Sequence, residues 1–243
     1  MNIIILAAGQ PPQVEQDRYP LCLTEFQDTP LIQHILAACK PLKPNKIIVA
    51  LREEDVYAFH LDRIVNIASP GAIVLSVRGS ASGAACTALL AIGYVDNDEE
   101  LLIISGNEFL DVDFDEIVGS FRVRLLDAGT AVFQSLHPRY SYVKVSEDGM
   151  VVEASEKKPI SNYATAGFYW FAQGRDFVDA AKNLIRKDAN VNGNYYICPT
   201  FNELILDHRR IGMYQVPKSH YHPLKTERQI DQFALAMERD RTL

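Results

Sequence analysis

Four short runs of almost wholly apolar residues recur along the first 105 residues, and they constrain the fold more than any other feature. The runs are Asn2–Ala7, Lys46–Leu51, Ala72–Val77 and Glu100–Ser105. A strand with one solvent-exposed face alternates apolar and polar residues, whereas an apolar run is typical of a strand buried on both faces. In the segments between the runs, apolar residues recur at the spacing of one helix face. We therefore predict βαβ units and an α/β, doubly wound, mostly parallel sheet of the Rossmann type.

Apolar spacing and capping residues place the helices between these strands. In order, the predicted helices are one capped by Thr29 with Pro30 at its first position, one over 53–67, one over 82–94 and one over 114–126 capped by Asp113.

After Thr130, the regular alternation of predicted strands and helices gives way to a mixed order of hairpins, strands and helices. Tyr142–Val145 and Met150–Ser155 flank an Asp-Gly pair, which predicts a hairpin. Further predicted elements are a strand over 165–171, helices over 175–187 and 200–208, a strand over 211–216 and a terminal helix over 226–239, where Thr226 and Gln229 fit a capping box. Because no linker or repeat interrupts the chain, we expect a single domain over 1–243 with halves at 1–130 and 131–243.

Composition excludes several classes of protein. Hydrophobic residues make up 48% of the 243 residues and charged residues 23%, so wholesale disorder is excluded. The net charge of −7 argues against a general nucleic-acid binder, and no apolar run reaches the length of a membrane span. The first residues lack the features of a signal peptide. Four scattered cysteines without a C-x-x-C pair predict reduced thiols and a cytoplasmic location.

The segment between the first strand and the first helix is unusually long. It runs from Gly9 to Thr29, about 20 residues, where such connections usually take about 2–6. Ligands bind at the carboxyl ends of the strands in doubly wound sheets, so we expect a ligand site here. Gly9 stands alone, which excludes a dinucleotide fingerprint, and no G-K-[ST] follows, which excludes a P-loop.

Several segments of the sequence, taken in order, match the motifs of one known family. The matching segments are Ile4–Gly9, Pro20, Thr29–Ile32, Ser82–Thr87, Leu102–Asn107, Glu156–Pro159, Thr165–Tyr169 and Asn192–Tyr196. This ordered set resembles the sugar-phosphate nucleotidyltransferases, and Asn192–Tyr196 resembles a capsule- and lipopolysaccharide-associated branch of them. The resemblance implies a Rossmann-like fold related to GT-A proteins. It also implies transfer of a nucleoside monophosphate from an NTP to a sugar phosphate or related phosphomonoester, with release of pyrophosphate.

The resemblance also implies roles for particular residues. The implied nucleotide-binding residues are Leu6, Ala7, Ala8, Gly9 and Gly83; the implied substrate-binding residues are Gly106, Lys158 and Gly167; and Lys157 is an implied catalytic cation. Arg18 lies in the long loop and is a second candidate catalytic cation. Residues 1–130 would form the nucleotide-binding half and 131–243 the sugar-phosphate or acceptor half.

Three charges that the family uses are replaced in this sequence. The family's loop arginine and lysine fall at Gln13 and Leu21, and its metal-binding aspartate falls at Asn107. A Mg²⁺ ion would then depend on Asn107, Glu108 and Asp111, although Mg²⁺ prefers carboxylates and phosphate. Each lost charge is worth about 3 kcal/mol or more in a phosphoryl-transfer transition state, so the substitutions predict weak catalysis.

Three hypotheses follow. The first is a nucleotidyltransferase in surface polysaccharide synthesis, a possible homo-oligomer acting on an NTP and a sugar phosphate. The second is a catalytically silent relative that binds a nucleotide or nucleotide sugar as a regulatory or partner subunit. The third is a glycosyltransferase that uses the D-x-D pair Asp111 and Asp113, although Asp113 also fits a helix cap. None of them involves nucleic acid or membrane insertion.

Overall fold

Thirteen strands and nine helices form within the residues that the structure, a computed structural model, describes: 1–9, 19–79 and 81–240. The strands are β1 (Asn2–Leu6), β2 (Glu25–Phe26), β3 (Thr29–Pro30), β4 (Lys46–Arg52), β5 (Ile73–Val77), β6 (Leu101–Ser105), β7 (Glu108–Leu110), β8 (Ala128–Gln134), β9 (Ser141–Val145), β10 (Val151–Glu156), β11 (Tyr163–Phe171), β12 (Ile211–Gln215) and β13 (Tyr221–Pro223). The helices are α1 (Leu31–Cys39), α2 (Glu53–Phe59), α3 (Leu61–Ala68), α4 (Ala84–Leu89), α5 (Ile92–Val95), α6 (Phe114–Val123), α7 (Gly174–Arg186), α8 (Thr200–Leu206) and α9 (Glu227–Asp240). Short 3₁₀ helices cover Leu21–Leu23, Lys40–Leu42 and Lys218–His220.

The strand β1 lies inside the sheet, with a parallel neighbour on each side. It pairs with β4 and with β6, and β4 pairs in parallel with β5. Ile3, Ile4 and Ile5 have no exposed surface, because apolar residues cover both faces of the sheet. The predicted α/β class and the parallel sheet of the first half are confirmed.

The second half of the chain joins the same sheet through β11. This strand pairs antiparallel with β6 and with β8, and β12 returns parallel to β8. The predicted Asp-Gly hairpin is confirmed, because β9 and β10 pair antiparallel at the edge. Both halves therefore share one sheet of nine strands.

Several predicted helix bounds are wrong. The helix predicted over 53–67 is two helices, because His60 adopts a left-handed conformation with φ of 53° that ends α2 and starts α3. The helix predicted over 82–94 is divided between α4 and α5. Thr29 does not cap α1: it lies in β3, and its hydroxyl donates to the carbonyl of Gln27.

Within the part of the chain described, no helix is long and apolar enough to cross a membrane. All four cysteines are free thiols, and Cys22, Cys39 and Cys198 are buried.

The cap of α6 gives a direct test of the fold near the carboxyl end of β6. The Asp113 carboxylate accepts a hydrogen bond of 2.9 Å from the Asp115 N–H. We expect Asp113→Ala to lower the free energy of unfolding by about 1 kcal/mol, measured by urea unfolding. Asp111→Ala is the matched control, because Asp111 is exposed, and we expect less than about 0.5 kcal/mol there. Equal losses in the two variants would contradict the capping role.

Candidate active site

The carboxyl ends of β1, β4 and β6 meet at one rim of the sheet. The Gly106 N–H donates to the Leu6 carbonyl at 2.8 Å, and the Ala7 N–H donates to the Ala50 carbonyl at 2.9 Å. A Cβ on Gly106 would lie 2.8 Å from the Cβ of Ala7. The glycine is therefore required because the turns after β1 and β6 touch each other.

Two cavities open along this rim. The first, which we call the first-turn cavity, holds about 240 Å³ and lies over the turn that follows β1. Its lining includes Leu6, Ala7, Gly9, Leu21, Cys22, Arg52, Asp55, Gly106, Asn107 and Lys225. Three of the five predicted nucleotide-binding residues, Leu6, Ala7 and Gly9, therefore come together here.

The charges that line the first-turn cavity are already paired. The Arg52 guanidinium makes two hydrogen bonds to Asp55, of 2.8 and 2.7 Å, and lies 3.3 Å from Glu54. Burial, with the Asp55 charge, raises the pKa of the Cys22 thiol to about 12, so this group is neutral at pH 7. Leu21 contributes an apolar surface to this cavity.

The second cavity, which we call the carboxylate cavity, holds about 150 Å³ and contains two buried carboxylates. Glu108 is 8% exposed and Glu156 is 9% exposed. The other lining residues include Ser105, Asn107, Arg139, Ser141, Thr165, Gly167, Tyr169, Tyr196 and Lys225. Asn107 and Lys225 line both cavities, so they mark the border between them.

Lys225 reaches this border because the C-terminal segment is bonded to the turn after β6. β13 pairs antiparallel with β7, with Pro223 opposite Glu108. The Leu224 N–H donates to the Asn107 carbonyl at 2.9 Å. One residue later, the Lys225 N–H donates to the Gln229 side chain at 3.0 Å. Three successive positions are thus fixed to the rim or to the start of α9.

The side chain of Lys225 forms an ion pair with Glu108. Its Nζ lies 2.5 Å from Oε1 of Glu108, and 40% of the Lys225 side chain remains exposed. Burial lowers the pKa of Lys225, but the Glu108 carboxylate more than offsets this, so the net shift is upward and the ammonium stays charged. Gly167, with φ of 67°, leaves the space for Glu108, since a Cβ there would lie 2.5 Å from Oε2.

Glu156 is the second buried carboxylate of the carboxylate cavity. Its carboxylate accepts a hydrogen bond from the Ser141 hydroxyl. Burial raises the pKa of Glu156, partly countered by Ser141 and by the charges of Lys157 and Lys225. A buried carboxylate with few cationic partners accepts hydrogen bonds from hydroxyl groups, which suits a polyol ligand.

Neither of the two predicted lysines lines this cavity, but Lys157 contacts a residue that does. The Lys157 Nζ donates to the Tyr196 hydroxyl at 2.7 Å and lies 4.9 Å from the centre of that ring. Tyr196 itself lines the cavity. Lys158 follows Lys157 in the chain and is exposed.

The remaining predicted binding residues have other surroundings. Gly83 has φ of 99° and precedes α4, and a Cβ on it would overlap the backbone of Tyr195. The Tyr195 carbonyl also accepts the Ala85 N–H, so the chain itself accounts for this glycine. Ala8 is half-buried and follows the first strand. Arg18 lies outside the described residues, as does Gln13.

The described donors do not fit a Mg²⁺ ion. Glu108 is paired with Lys225, and no group of three or more acidic, histidine or cysteine side chains lies close enough among the described residues to hold a metal. Because the Lys225 ammonium already neutralises the Glu108 carboxylate, the pair offers a divalent ion little net attraction.

The D-x-D pair does not supply the missing ligands. Asp113 caps α6, and Asp111 is exposed at the far end of β7. The backbone of Asp111 is bonded to His220 through its N–H and its carbonyl. The structure therefore does not bring Asp111 together with Asn107 and Glu108 as a metal site, and the interpretation of Asp113 as a helix cap is confirmed.

Sequence reasoning missed the residues that dominate the charge of the rim. Lys225, Arg52 and Arg139 line the cavities, and none of them belongs to a motif. In the sequence, the feature that could have drawn attention to Lys225 is its position next to the predicted cap of the terminal helix. That feature could not show that β13 would pair with β7, because both strands have only three residues.

Most of the chain matches the profile of one known protein family. The sequence profile of the nucleotidyl transferase family matches residues 4–203. The chain therefore belongs to the nucleotidyl transferase family. A comparison with curated proteins gave no significant match.

Solved structures of similar fold agree with this assignment. A nucleoside-diphosphate-sugar pyrophosphorylase from Vibrio cholerae superimposes with a TM-score of 0.80 at 18% identity, over 97% of this chain and 100% of that one. A Bacillus anthracis protein provisionally assigned as a glucose-1-phosphate thymidylyltransferase, solved with sucrose, superimposes with a TM-score of 0.77 at 19% identity, over 98% of this chain and 95% of that one. A UDP-glucose pyrophosphorylase in complex with UDP-glucose gives 0.78 at 15% identity over 98% of each chain.

The ion pair between Glu108 and Lys225 predicts a coupled effect on stability. Lys225→Met leaves the Glu108 carboxylate buried without its partner, and we expect a loss of about 1–2 kcal/mol, reduced from the value for a fully buried pair because Lys225 is partly exposed. Adding Glu108→Gln removes the unpaired charge, so the double variant should be more stable than Lys225→Met alone. Urea unfolding of the four proteins measures this coupling. Additive losses would show that the two groups do not interact.

Glu156 predicts a dependence of stability on pH. Its folded pKa is raised by burial, so the native state binds the proton more tightly than the unfolded chain does. The penalty for burying the charge is complete above the folded pKa and is relieved as the pH falls toward about 4.5. We expect Glu156→Gln to be at least as stable as the wild type at pH 8 and to lose that advantage near pH 4.5. Urea unfolding at both pH values tests this, and a variant less stable at pH 8 would refute it.

Proposed function

We propose that the chain transfers a nucleoside monophosphate from an NTP to a sugar phosphate or related phosphomonoester and releases pyrophosphate. The observation that carries this proposal is that two open cavities share Asn107 and Lys225 at the carboxyl end of β6. Ligands in the two cavities would meet at this border, as a transfer between them requires.

Each cavity suits one of the two reactants. The nucleotide would lie over the backbone of Leu6, Ala7, Ala8 and Gly9, with Gly83 at the side of the base. The sugar would occupy the carboxylate cavity, where Glu156 can accept hydrogen bonds from its hydroxyls. Its phosphate would point to the border, near Gly106 and Gly167.

The proposed reaction is an in-line displacement at the α-phosphorus. An oxygen of the phosphomonoester forms a new P–O bond, the bond between the α-phosphorus and the bridging oxygen breaks, and pyrophosphate leaves with that electron pair. Lys225 would stabilise charge at the phosphates, with Lys157 and Lys158 at the outer edge of the sugar. Arg18 is a further candidate cation, from the segment outside the described residues.

A second candidate is a catalytically silent relative that binds a nucleotide or nucleotide sugar. Two observations favour it. Leu21 presents an apolar surface where the family has a lysine, and Arg52 and Lys225 are each held by a carboxylate. Such a site can bind a phosphorylated ligand, but it stabilises the additional charge of a transition state weakly.

The cellular role of this reaction is also a proposal. Asn192–Tyr196 resembles the branch associated with capsule and lipopolysaccharide, and its last residue lines the carboxylate cavity. We infer a cytoplasmic role in surface polysaccharide synthesis, with a homo-oligomer as the assembly to test by light scattering.

The decisive assay measures pyrophosphate release from each common NTP with a panel of sugar 1-phosphates, with and without Mg²⁺. Turnover that falls at least about tenfold in Lys225→Gln supports the transferase. Absence of turnover, together with saturable binding of a nucleotide sugar by calorimetry, supports the silent relative. Absence of both turnover and binding would overturn both candidates.

A further inference from the structure

The border between the two cavities contains one ammonium group and no described cluster of acidic side chains. Lys225 lines both cavities, and 40% of its side chain is exposed to them and to solvent. An ammonium has three N–H donors. One of them points to Glu108, so two remain for a ligand.

The position of this ammonium is fixed. Glu108 is buried beside Gly167 and cannot move outward without losing that packing. The Leu224 N–H donates to the Asn107 carbonyl, and the Lys225 N–H donates to the Gln229 side chain. A group held from three directions loses little conformational entropy when a phosphate binds to it.

The same arrangement opposes a divalent cation. Among the described residues, Glu108 is the buried carboxylate that adjoins this border and it already has a cationic partner, while the neighbouring Asn107 offers only a neutral oxygen. Mg²⁺ is held by carboxylates together with phosphate oxygens, and here it would have to displace or approach a fixed positive charge.

We propose that the Lys225 ammonium, held by Glu108, replaces a divalent cation at this rim, so that the protein binds the phosphates of its nucleotide ligand without metal. This inference rests on the proposed binding of a nucleotide. It concerns which group neutralises the phosphates, not whether transfer follows.

Calorimetry with the nucleoside diphosphates of uridine, cytidine, guanosine, adenosine and thymidine tests it on the unmodified protein. We expect at least one to bind in EDTA with a dissociation constant within about threefold of that in excess Mg²⁺. Binding that requires Mg²⁺ overturns this inference and leaves the proposed function standing. Absence of binding in both conditions overturns the proposed function, and this inference with it.

Variants identify the group that replaces the metal. Lys225→Gln should weaken the binding in EDTA by about tenfold or more, the effect of losing a charge-assisted hydrogen bond. Lys218→Gln is the matched control, since Lys218 is an exposed lysine of the same C-terminal segment outside both cavities, and it should bind like the wild type. Equal effects of the two variants would overturn the assignment.

A double variant tests the same idea by gain of metal dependence. Lys225→Asp with Asn107→Asp places two carboxylates beside Glu108, which is a donor set that Mg²⁺ accepts. We expect binding to be lost in EDTA and recovered at least in part by Mg²⁺. Binding in EDTA equal to that of the wild type would overturn the assignment, and circular dichroism establishes that the variant is folded.

Discussion

The pairing of β1 with β4 on one side and β6 on the other determines where every residue of the rim lies. Because all three strands run in the same direction, their carboxyl ends meet at one edge, and the turn after β1 touches Gly106 after β6. The strands are buried on both faces, so their register cannot slip without exposing apolar side chains. The two cavities are a consequence of that edge.

Charge decides what this edge can do. Nucleotidyl transfer concentrates negative charge on phosphates, and an active site normally stabilises that charge with unpaired cations or a metal ion. Here Arg52 is bonded to Asp55 and Lys225 to Glu108. These pairs hold the cations in place and reduce the positive potential they offer. If the proposed nucleotide binds at this rim, the paired cations would hold its phosphates in the ground state more effectively than they would stabilise added charge in a transition state.

The sequence predicted the parts of the fold that depend on local patterns. Apolar runs identified the strands β1, β4, β5 and β6, and the Asp113 cap identified the start of α6. The break at His60 was missed because a left-handed residue other than glycine carries no composition signal. Lys225 was missed for a different reason: its place depends on the contact between β13 and β7, more than 100 residues apart in the sequence. Motifs and periodicity report local structure, whereas the charge pattern of the site arises from tertiary contacts.

The central claim is that phosphates bind where the two cavities meet. The most direct measurement is a crystal structure with the nucleotide sugar that calorimetry finds to bind most tightly. The account predicts density over the turn after β1, with a phosphate oxygen at about 2.7–2.9 Å from the Lys225 ammonium. Phosphates bound elsewhere, or a rim filled by the protein's own side chains with no space for a ribose, would contradict it.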